Sequence, residues 1–257
     1  NQFSGLRPFF CQIEAAEAII WLTEVAPKIG KKGENFLSHL KTANKEANPD
    51  LFRLALKLAT GAGKTTVMAM LIAWQTINAV RYQQSSRFTK GFLVVAPGLT
   101  IKDRLRVLLP TDPESYYARR ELVPGDLLRD LSQARIVITN YHAFKLRTRL
   151  ELSKGTRDLL AGSIGESPDG LETEGQMIQR VLPELMGLKS IMVLHDEAHH
   201  CYRAKEKVTN ETDFDDLSGD EKREARSEAD KNNEAARLWI SGLEAVKRKI
   251  GITEVID

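Results

Sequence analysis

Short apolar segments alternate along this chain with longer stretches in which apolar residues recur at helical spacing. Apolar runs of this length, bounded by turn residues, predict buried strands. The predicted strands cover residues 51–58, 91–96, 134–141, 190–194 and 252–257. The helical patterns lie at 13–25 and 67–77, from 99 onward and around 235–240. Strands that alternate with helices predict an α/β fold, with a mostly parallel central sheet and helices on both faces.

Three polar segments interrupt this pattern. Residues 41–50 are predicted to form a loop that leads into the first strand. Residues 155–176 are rich in Gly, Ser, Asp and Glu, which predicts a surface loop. Residues 202–234 are densely charged, with more acids than bases, and predict a solvated excursion. We interpret the last two segments as insertions within one domain that spans residues 1–257.

The turn after the first predicted strand has the composition of a phosphate-binding loop. It reads Leu-Ala-Thr-Gly-Ala-Gly-Lys-Thr-Thr over residues 58–66 and runs straight into a predicted helix. Glycines let backbone N–H groups approach phosphates, and a helix N-terminus adds the positive end of its dipole. Lys64 can reach the terminal phosphates and the Thr65 hydroxyl can bind Mg²⁺, although Leu58 replaces the first glycine of the general pattern. The predicted nucleotide-binding residues of the loop are Thr60, Gly61, Ala62, Gly63, Lys64, Thr65 and Thr66.

An acidic and histidine-rich segment, His-Asp-Glu-Ala-His-His, follows the fourth predicted strand at residues 195–200. Read as His-Asp-x-x-His it is similar to a zinc-binding helix, but such a helix is amphipathic and carries Glu beside its first His. Here a buried strand leads directly into the segment, which favours a magnesium and water site. Asp196 would hold Mg²⁺ and Glu197 would deprotonate the attacking water. We expect His195 and His200 to be structural.

Composition excludes some classes of protein and limits others. Lys and Arg total 37 against 35 for Asp and Glu, so any nucleic-acid binding must use a local surface. Cys11 and Cys201 are far apart in sequence, which argues against a disulfide framework. We recognise no signal peptide, and no apolar run approaches the ~20 residues that a membrane helix needs. These features predict a soluble, cytoplasmic protein.

Four motifs together resemble those of superfamily 2 helicases. They are Thr-Gly-Ala-Gly-Lys-Thr, Ala-Pro-Gly-Leu-Thr, Ile-Thr-Asn-Tyr-His and Asp-Glu-Ala-His, in that order. The segment 194–203 is most similar to the motor (Res) subunit of type III restriction enzymes and its relatives. The resemblance implies a RecA-like P-loop domain that uses ATP and Mg²⁺, with metal ligands Thr65 and Asp196. The catalytic residues that it implies are Lys64, Asp196, Glu197 and His199.

The resemblance also implies contacts to the base and to nucleic acid. Gln12 would contact adenine, although two extra residues separate it from Pro8 in comparison with the family pattern. Strand-end hydroxyls, helix-start N–H groups and basic side chains suit backbone phosphates. The alternative is that Thr100 only caps a helix and Tyr141 only packs. The predicted nucleic-acid contacts are Pro97, Gly98, Thr100, Lys102, Arg104, Thr139, Asn140 and Tyr141.

In relatives, the strand that corresponds to 252–257 leads into a Ser-Ala-Thr motif. That motif is absent from this sequence, as is a second motor domain. We therefore expect a first motor domain truncated before that motif, which alone would bind ATP–Mg²⁺ weakly and hydrolyse little. Expected partners are DNA, a second RecA-like domain in the full-length chain and a DNA methyltransferase subunit, with no membrane. A non-motor P-loop ATP switch or binding module, or an RNA helicase domain, remains the alternative.

Overall fold

The structure is a computed structural model that describes residues 7–48, 51–147, 171–196, 234 and 236–257. The chain forms two compact units. The first comprises Asn1–Asn140, Gly187–Ala198 and Ile250–Asp257, and the second comprises Tyr141–Met186 and His199–Lys249. Within the described residues, no helix is both long and apolar enough to cross a membrane.

A five-stranded sheet organises the first unit. Its order is β1-β5-β4-β2-β3, and all four neighbouring pairs are parallel. Because the strands are parallel, their carboxyl ends lie at one edge, where ligands bind in open α/β sheets. The strands are β1 (Arg53–Leu54), β2 (Gly91–Ala96), β3 (Arg135–Asn140), β4 (Ile191–His195) and β5 (Ile252–Ile256).

The predicted strands are confirmed except for the length of the first. β2 has its predicted bounds, and β3, β4 and β5 agree to within one residue at each end. The prediction for 51–58 was wrong in length, because only Arg53–Leu54 pairs as a strand. Among the described strands β1 has β5 as its one neighbour, and the ladder ends where Leu56 N–H donates to the Asp257 carbonyl. Beyond that bond the chain turns into the glycine loop.

Helices of the first unit pack on the apolar sheet. Phe92, Val94, Met192 and Leu194 alternate along β2 and β4 and join the same buried cluster as Leu71 of α3. The intervening residues of β2 and β4 are also fully buried, so both faces of these strands are covered. The α-helices are α1 (Phe10–Ile20), α2 (Lys31–Ala47), α3 (Lys64–Arg81), α4 (Leu99–Arg104), α5 (Tyr116–Arg119) and α6 (Leu128–Leu131). Shorter helical turns are Trp21–Val25 (π) and Ala26–Lys28, Leu105–Leu108 and Gly125–Leu127 (3₁₀).

The predicted loop at 41–50 was largely wrong, because α2 continues to Ala47. Lys, Glu and Ala favour helix, and this outweighs the general polarity of the segment. Asn44 ties the end of α2 to β1. Its Nδ2 donates to the Leu51 carbonyl at 2.9 Å, and its Oδ1 accepts from Arg53 N–H at 2.9 Å.

The second unit contains α7 (Glu174–Val181), a helix α8 at 236–249, and the 3₁₀ turns Tyr141–Phe144 and Pro183–Leu185. The helix predicted around 235–240 is thus confirmed at 236–240. The predicted loop 155–176 was wrong at its end, since Thr173 and Gln176 form a capping box that begins α7. Its earlier part lies outside the described residues, as does 202–233. Arg180 binds Glu172 through two nitrogens at 2.8 Å, and this contact lowers the pKa of Glu172.

Candidate functional site

The predicted phosphate-binding loop has left-handed backbone at both glycines. Gly61 has φ 80° and Gly63 has φ 79°, values that side chains disfavour and glycine tolerates. α3 begins at Lys64, directly after Gly63, and no side chain in the described part of the chain caps it. Its first-turn N–H groups and its dipole therefore face the loop, which is the arrangement that binds anions.

The Gln12 side chain supports the phosphate-binding loop through a hydrogen bond to its backbone. Its side chain is 3% exposed, its Nε2 donates to the Ala62 carbonyl at 2.8 Å, and its Oε1 accepts from Phe9 N–H at 3.0 Å. A Cβ on Gly63 would collide with Gln12 Nε2. The amide thus fixes the loop backbone, and a contact from Gln12 to adenine stays a prediction.

Asp196 lies at the same edge of the sheet as the loop. It follows β4 directly, and its N–H donates to the Val95 carbonyl at 2.9 Å. β5 lies between β4 and β1, so the strand ends that carry Asp196 and the loop are roughly 10 Å apart at ordinary strand spacing. Asp196 and the loop thus flank the part of this edge where Mg²⁺ and the terminal phosphates of a nucleotide would bind. The predicted Glu197, His199 and His200 lie outside the described residues.

A buried polar network links these strand ends, and the sequence analysis did not include it. Arg53 Nε on β1 lies 2.7 Å from Asp257 Oδ2, and the two side chains are 3% and 2% exposed. Asp257 Oδ1 lies 3.6 Å from Nδ1 of His195, the last residue of β4. One signal was available, namely the charged Arg53 between apolar residues of the predicted first strand. The Asp257 carboxylate thus lies beside the His195 imidazole, at a separation longer than a hydrogen bond.

Two of the predicted nucleic-acid segments lie side by side at the carboxyl ends of β2 and β3, on the opposite side of the strand order from β1. β2 and β3 are neighbours, with Ala96 opposite Asn140, so Pro97 and Gly98 begin beside the end of β3. Thr100, Lys102 and Arg104 lie on α4, which follows, and Arg104 is exposed. Thr139 and Asn140 are half-buried at the end of β3. Tyr141 belongs to the second unit, where its ring lies 4.0 Å from that of His142.

Thr66 was predicted as part of the loop, but its partner was not. Its Oγ1 accepts from Arg120 Nη1 at 2.8 Å, and Arg120 lies just after α5. The two residues are 54 positions apart in the chain, so no local pattern connects them.

These features define the class of protein. Left-handed glycines between a parallel strand and a helix, with an acidic residue at the end of a nearby strand, are typical of P-loop nucleotide-binding α/β proteins. The family model described as type III restriction enzyme, res subunit, matches residues 6–218, and the chain belongs to this family. The family match and the parallel sheet identify a helicase-like ATPase motor domain with a RecA-like α/β fold. A comparison with curated proteins gave no match, and neither did a comparison with solved structures.

The residues present fit the ATP and Mg²⁺ that such ATPases use. Gly61 and Gly63 leave the loop backbone open where side chains would be strained, and at Gly63 a side chain would also meet Gln12. Thr65 supplies a hydroxyl in the first turn of α3, and Asp196 supplies a carboxylate at the same sheet edge. Hydroxyl and carboxylate oxygens are the donors that Mg²⁺ prefers.

Proposed function

We propose that the protein is a nucleic-acid-dependent ATPase that translocates on or remodels DNA, as the motor of a type III restriction-enzyme-like protein. One observation carries the proposal. The phosphate-binding loop follows β1 at one end of the strand order, the segments predicted to contact nucleic acid follow β2 and β3 at the other, and β4 with Asp196 lies between. A sheet arranged in this way can couple the binding and hydrolysis of ATP to the affinity for DNA.

The chain's residues take the following roles. Lys64 and the loop N–H groups, together with those at the start of α3, bind and orient the β- and γ-phosphates. Thr65 and Asp196 would hold Mg²⁺, which would supply positive charge to the phosphoryl oxygens. Glu197 accepts the proton of the attacking water. His199 is the last residue of the same Asp-Glu-Ala-His motif. Because the phosphoryl group is transferred in line, these residues act mainly by positioning and charge stabilisation.

The proposal extends to partners. A second RecA-like domain would form the facing wall of the ATP site and supply an arginine finger, which is typically worth ~10³–10⁵ in rate in P-loop enzymes. We further propose a cytoplasmic protein that works with a DNA methyltransferase subunit. The family match supports a motor, and the methyltransferase and the choice of DNA over RNA follow from the restriction branch of that family.

The test is steady-state ATP hydrolysis by the intact protein, alone and with duplex DNA or RNA. We expect DNA to raise turnover many-fold and RNA to raise it much less. Turnover that ignores both nucleic acids would support a regulatory ATP switch instead. Stronger stimulation by RNA would make the protein an RNA helicase.

Two variants assign the chemistry within the same assay. Glu197→Gln is expected to abolish turnover and leave ATP affinity nearly intact, because it removes the base but no phosphate contact. Lys64→Ala is expected to weaken ATP binding itself, since it removes a charge from the phosphates. Binding is measured by calorimetry and turnover by phosphate release. Parental turnover in Glu197→Gln would show that another group is the base.

A further inference from the structure

A cavity of about 220 Å³ lies between α3, β5, the π turn Trp21–Val25 and the segment that leads into β2. It is remote from the phosphate-binding loop, because Trp74 in its lining stands ten positions after Lys64 in α3, roughly 15 Å along the helix axis. A cavity of roughly 150 Å³ can hold benzene, so this one has room for a small organic molecule. The lining residues that matter here are Glu24, Trp74, Gln75, Arg87, Phe88 and Glu254.

Gln75 brings an unpaired hydrogen-bond donor to this cavity. The residue is 0% exposed, and its Oε1 accepts from Thr89 N–H at 2.9 Å. That bond fixes which end of the amide is the oxygen, because an amide nitrogen in its place would set two donors against each other. The Nε2 group has no hydrogen-bond partner among the described residues. Since an unpaired buried donor costs free energy, a ligand that supplies an acceptor here is favoured.

Glu254 brings an unpaired acceptor, and an irregularity of β5 places it there. The register of β5 against β4 shifts by one residue between Ile191 and Val193, so Thr253 and Glu254 together face Met192. Such a bulge is rare between parallel strands, and bulges often redirect a side chain beside a functional site. Glu254 Oε2 is buried and has no hydrogen-bond partner among the described residues. Burial raises the pKa of Glu254, and a cation beside it would favour the charged form again.

The other residues of the lining are aromatic or charged. Glu24 lies in the π turn, a rare helical form that is frequent at functional sites, and it accepts a hydrogen bond from Trp74 Nε1 at 2.8 Å. The rings of Trp74 and Phe88 have their centres 6.1 Å apart. The guanidinium carbon of the exposed Arg87 lies 5.7 Å from the centre of the Phe88 ring. The cavity therefore combines carboxyl groups, one guanidinium and apolar surface.

We propose that this cavity binds a free α-amino acid. The ammonium group of the amino acid binds the Glu254 carboxylate, and its carboxylate accepts hydrogen bonds from Gln75 Nε2 and Arg87. Its side chain packs against the rings of Trp74 and Phe88. The proposal does not depend on the ATPase function.

A zwitterion fits this lining better than a ligand of one charge. A simple amine would leave the Gln75 donor without an acceptor. A simple carboxylic acid would place a second anion in the cavity with Glu254, and like charges in a buried site are costly. An amino acid satisfies the buried donor and the buried acceptor with one molecule, because it carries both charges a few bonds apart.

The test begins with thermal unfolding of the intact protein in the presence of each standard L-amino acid at about 10 mM. A dissociation constant of about 1 mM would raise the melting temperature by roughly 3 to 6 °C. The amino acid with the largest effect is then compared by calorimetry with its decarboxylated amine and its deaminated acid. We expect the amino acid to bind about tenfold or more tightly than either. A screen without any rise, or an amine that binds as well as the amino acid, would overturn the proposal.

Two variants assign the ends of the ligand. Glu254→Gln keeps the shape of the side chain and removes its charge, so it is expected to weaken both the amino acid and the amine about tenfold. Arg87→Ala is expected to weaken the amino acid and to leave the amine at its parental affinity, because Arg87 serves the carboxylate. Glu34→Gln is the matched control, since it removes the same charge from an exposed position of α2 and is expected to bind like the parent.

The variants can also contradict the proposal. Parental affinity for the amino acid in Glu254→Gln would show that its ammonium group does not bind there. Equal weakening of the amino acid and the amine by Arg87→Ala would mean that Arg87 only maintains the shape of the cavity. Either result would overturn the assigned binding mode.

Discussion

At the scale of single residues, Gly61 and Gly63 have the same backbone conformation but different surroundings. Both have φ near 80°, yet a Cβ on Gly61 meets no atom within 4 Å, whereas on Gly63 it would collide with Gln12. We expect Gly63→Ala to reduce ATP affinity clearly more than Gly61→Ala. Strain from the left-handed backbone costs about 1–2 kcal/mol at either position. Only Gly63→Ala must also displace the amide that holds the loop.

The control for this prediction is the double variant Gly63→Ala with Gln12→Ala. Removing the Gln12 amide makes room for the new methyl group, so the double variant is expected to lose less affinity than the sum of the single variants. ATP binding by calorimetry measures all four proteins. Strict additivity would show that the Gln12 contact does not explain the need for glycine at 63.

The same residues show what the sequence can and cannot predict about the site. The loop was predicted because its turn, its glycines and its helix start are consecutive, and its conformation follows from local sterics. Arg120 and Asp257 were not placed near it, since their partners Thr66 and Arg53 are 54 and 204 positions away. Contacts of that kind depend on strand order, which periodicity alone does not define.

At the scale of elements, the ion pair of Arg53 and Asp257 joins β1 to β5 in the core. Arg53→Ala is expected to destabilise the protein by about 3–5 kcal/mol, because it leaves Asp257 as an uncompensated buried charge. Arg81→Ala, which removes a pair whose arginine is 51% exposed, is expected to cost about 0–1 kcal/mol. Urea unfolding of the two variants provides the comparison. Similar losses in the free energy of unfolding would mean that the buried pair stabilises the protein no more than the exposed pair does.

α4 and the end of β3 are the elements proposed to touch DNA. Replacing Lys102 and Arg104 together with Ala is expected to reduce the slope of log affinity against log salt by ~2, if each side chain neutralises one phosphate. Replacing Lys31 and Lys32 of α2 removes the same charge from exposed positions elsewhere and is expected to leave the slope unchanged. Fluorescence anisotropy with duplex DNA over a salt series measures both. Equal slopes in the two variants would place the DNA contacts elsewhere.

Elements differ in how well their sequence defines them. β2 was predicted with its observed bounds because six consecutive apolar residues are buried on both faces and end at Pro97-Gly98. β1 was predicted too long, since an apolar run does not reveal that its strand has one neighbour in the described sheet. α2 was not predicted, and its last turns fall in the predicted loop 41–50, because polar residues suit both loops and exposed helices.

At the scale of the whole molecule, the strand order separates two tasks along one edge of the sheet. The nucleotide loop follows β1, Asp196 follows β4, and the segments proposed to grip DNA follow β2 and β3. Along the sheet, β5 and β4 lie between the phosphate-binding loop and those segments. The network of Arg53, Asp257 and His195 spans the first part of that path.

The same strand order has a consequence for how the protein is made. β1 emerges from the ribosome before its neighbour β5, which is translated about 200 positions later, since Arg53 and Asp257 are 204 positions apart. At ordinary rates of synthesis the first strand waits roughly 10 to 40 s for its partner. During that interval Leu51 and Leu54, which are buried in the finished protein, lack the strand that covers them. A nascent chain in this state presents an unpaired apolar edge. We therefore expect it to need a chaperone until β5 has been synthesised.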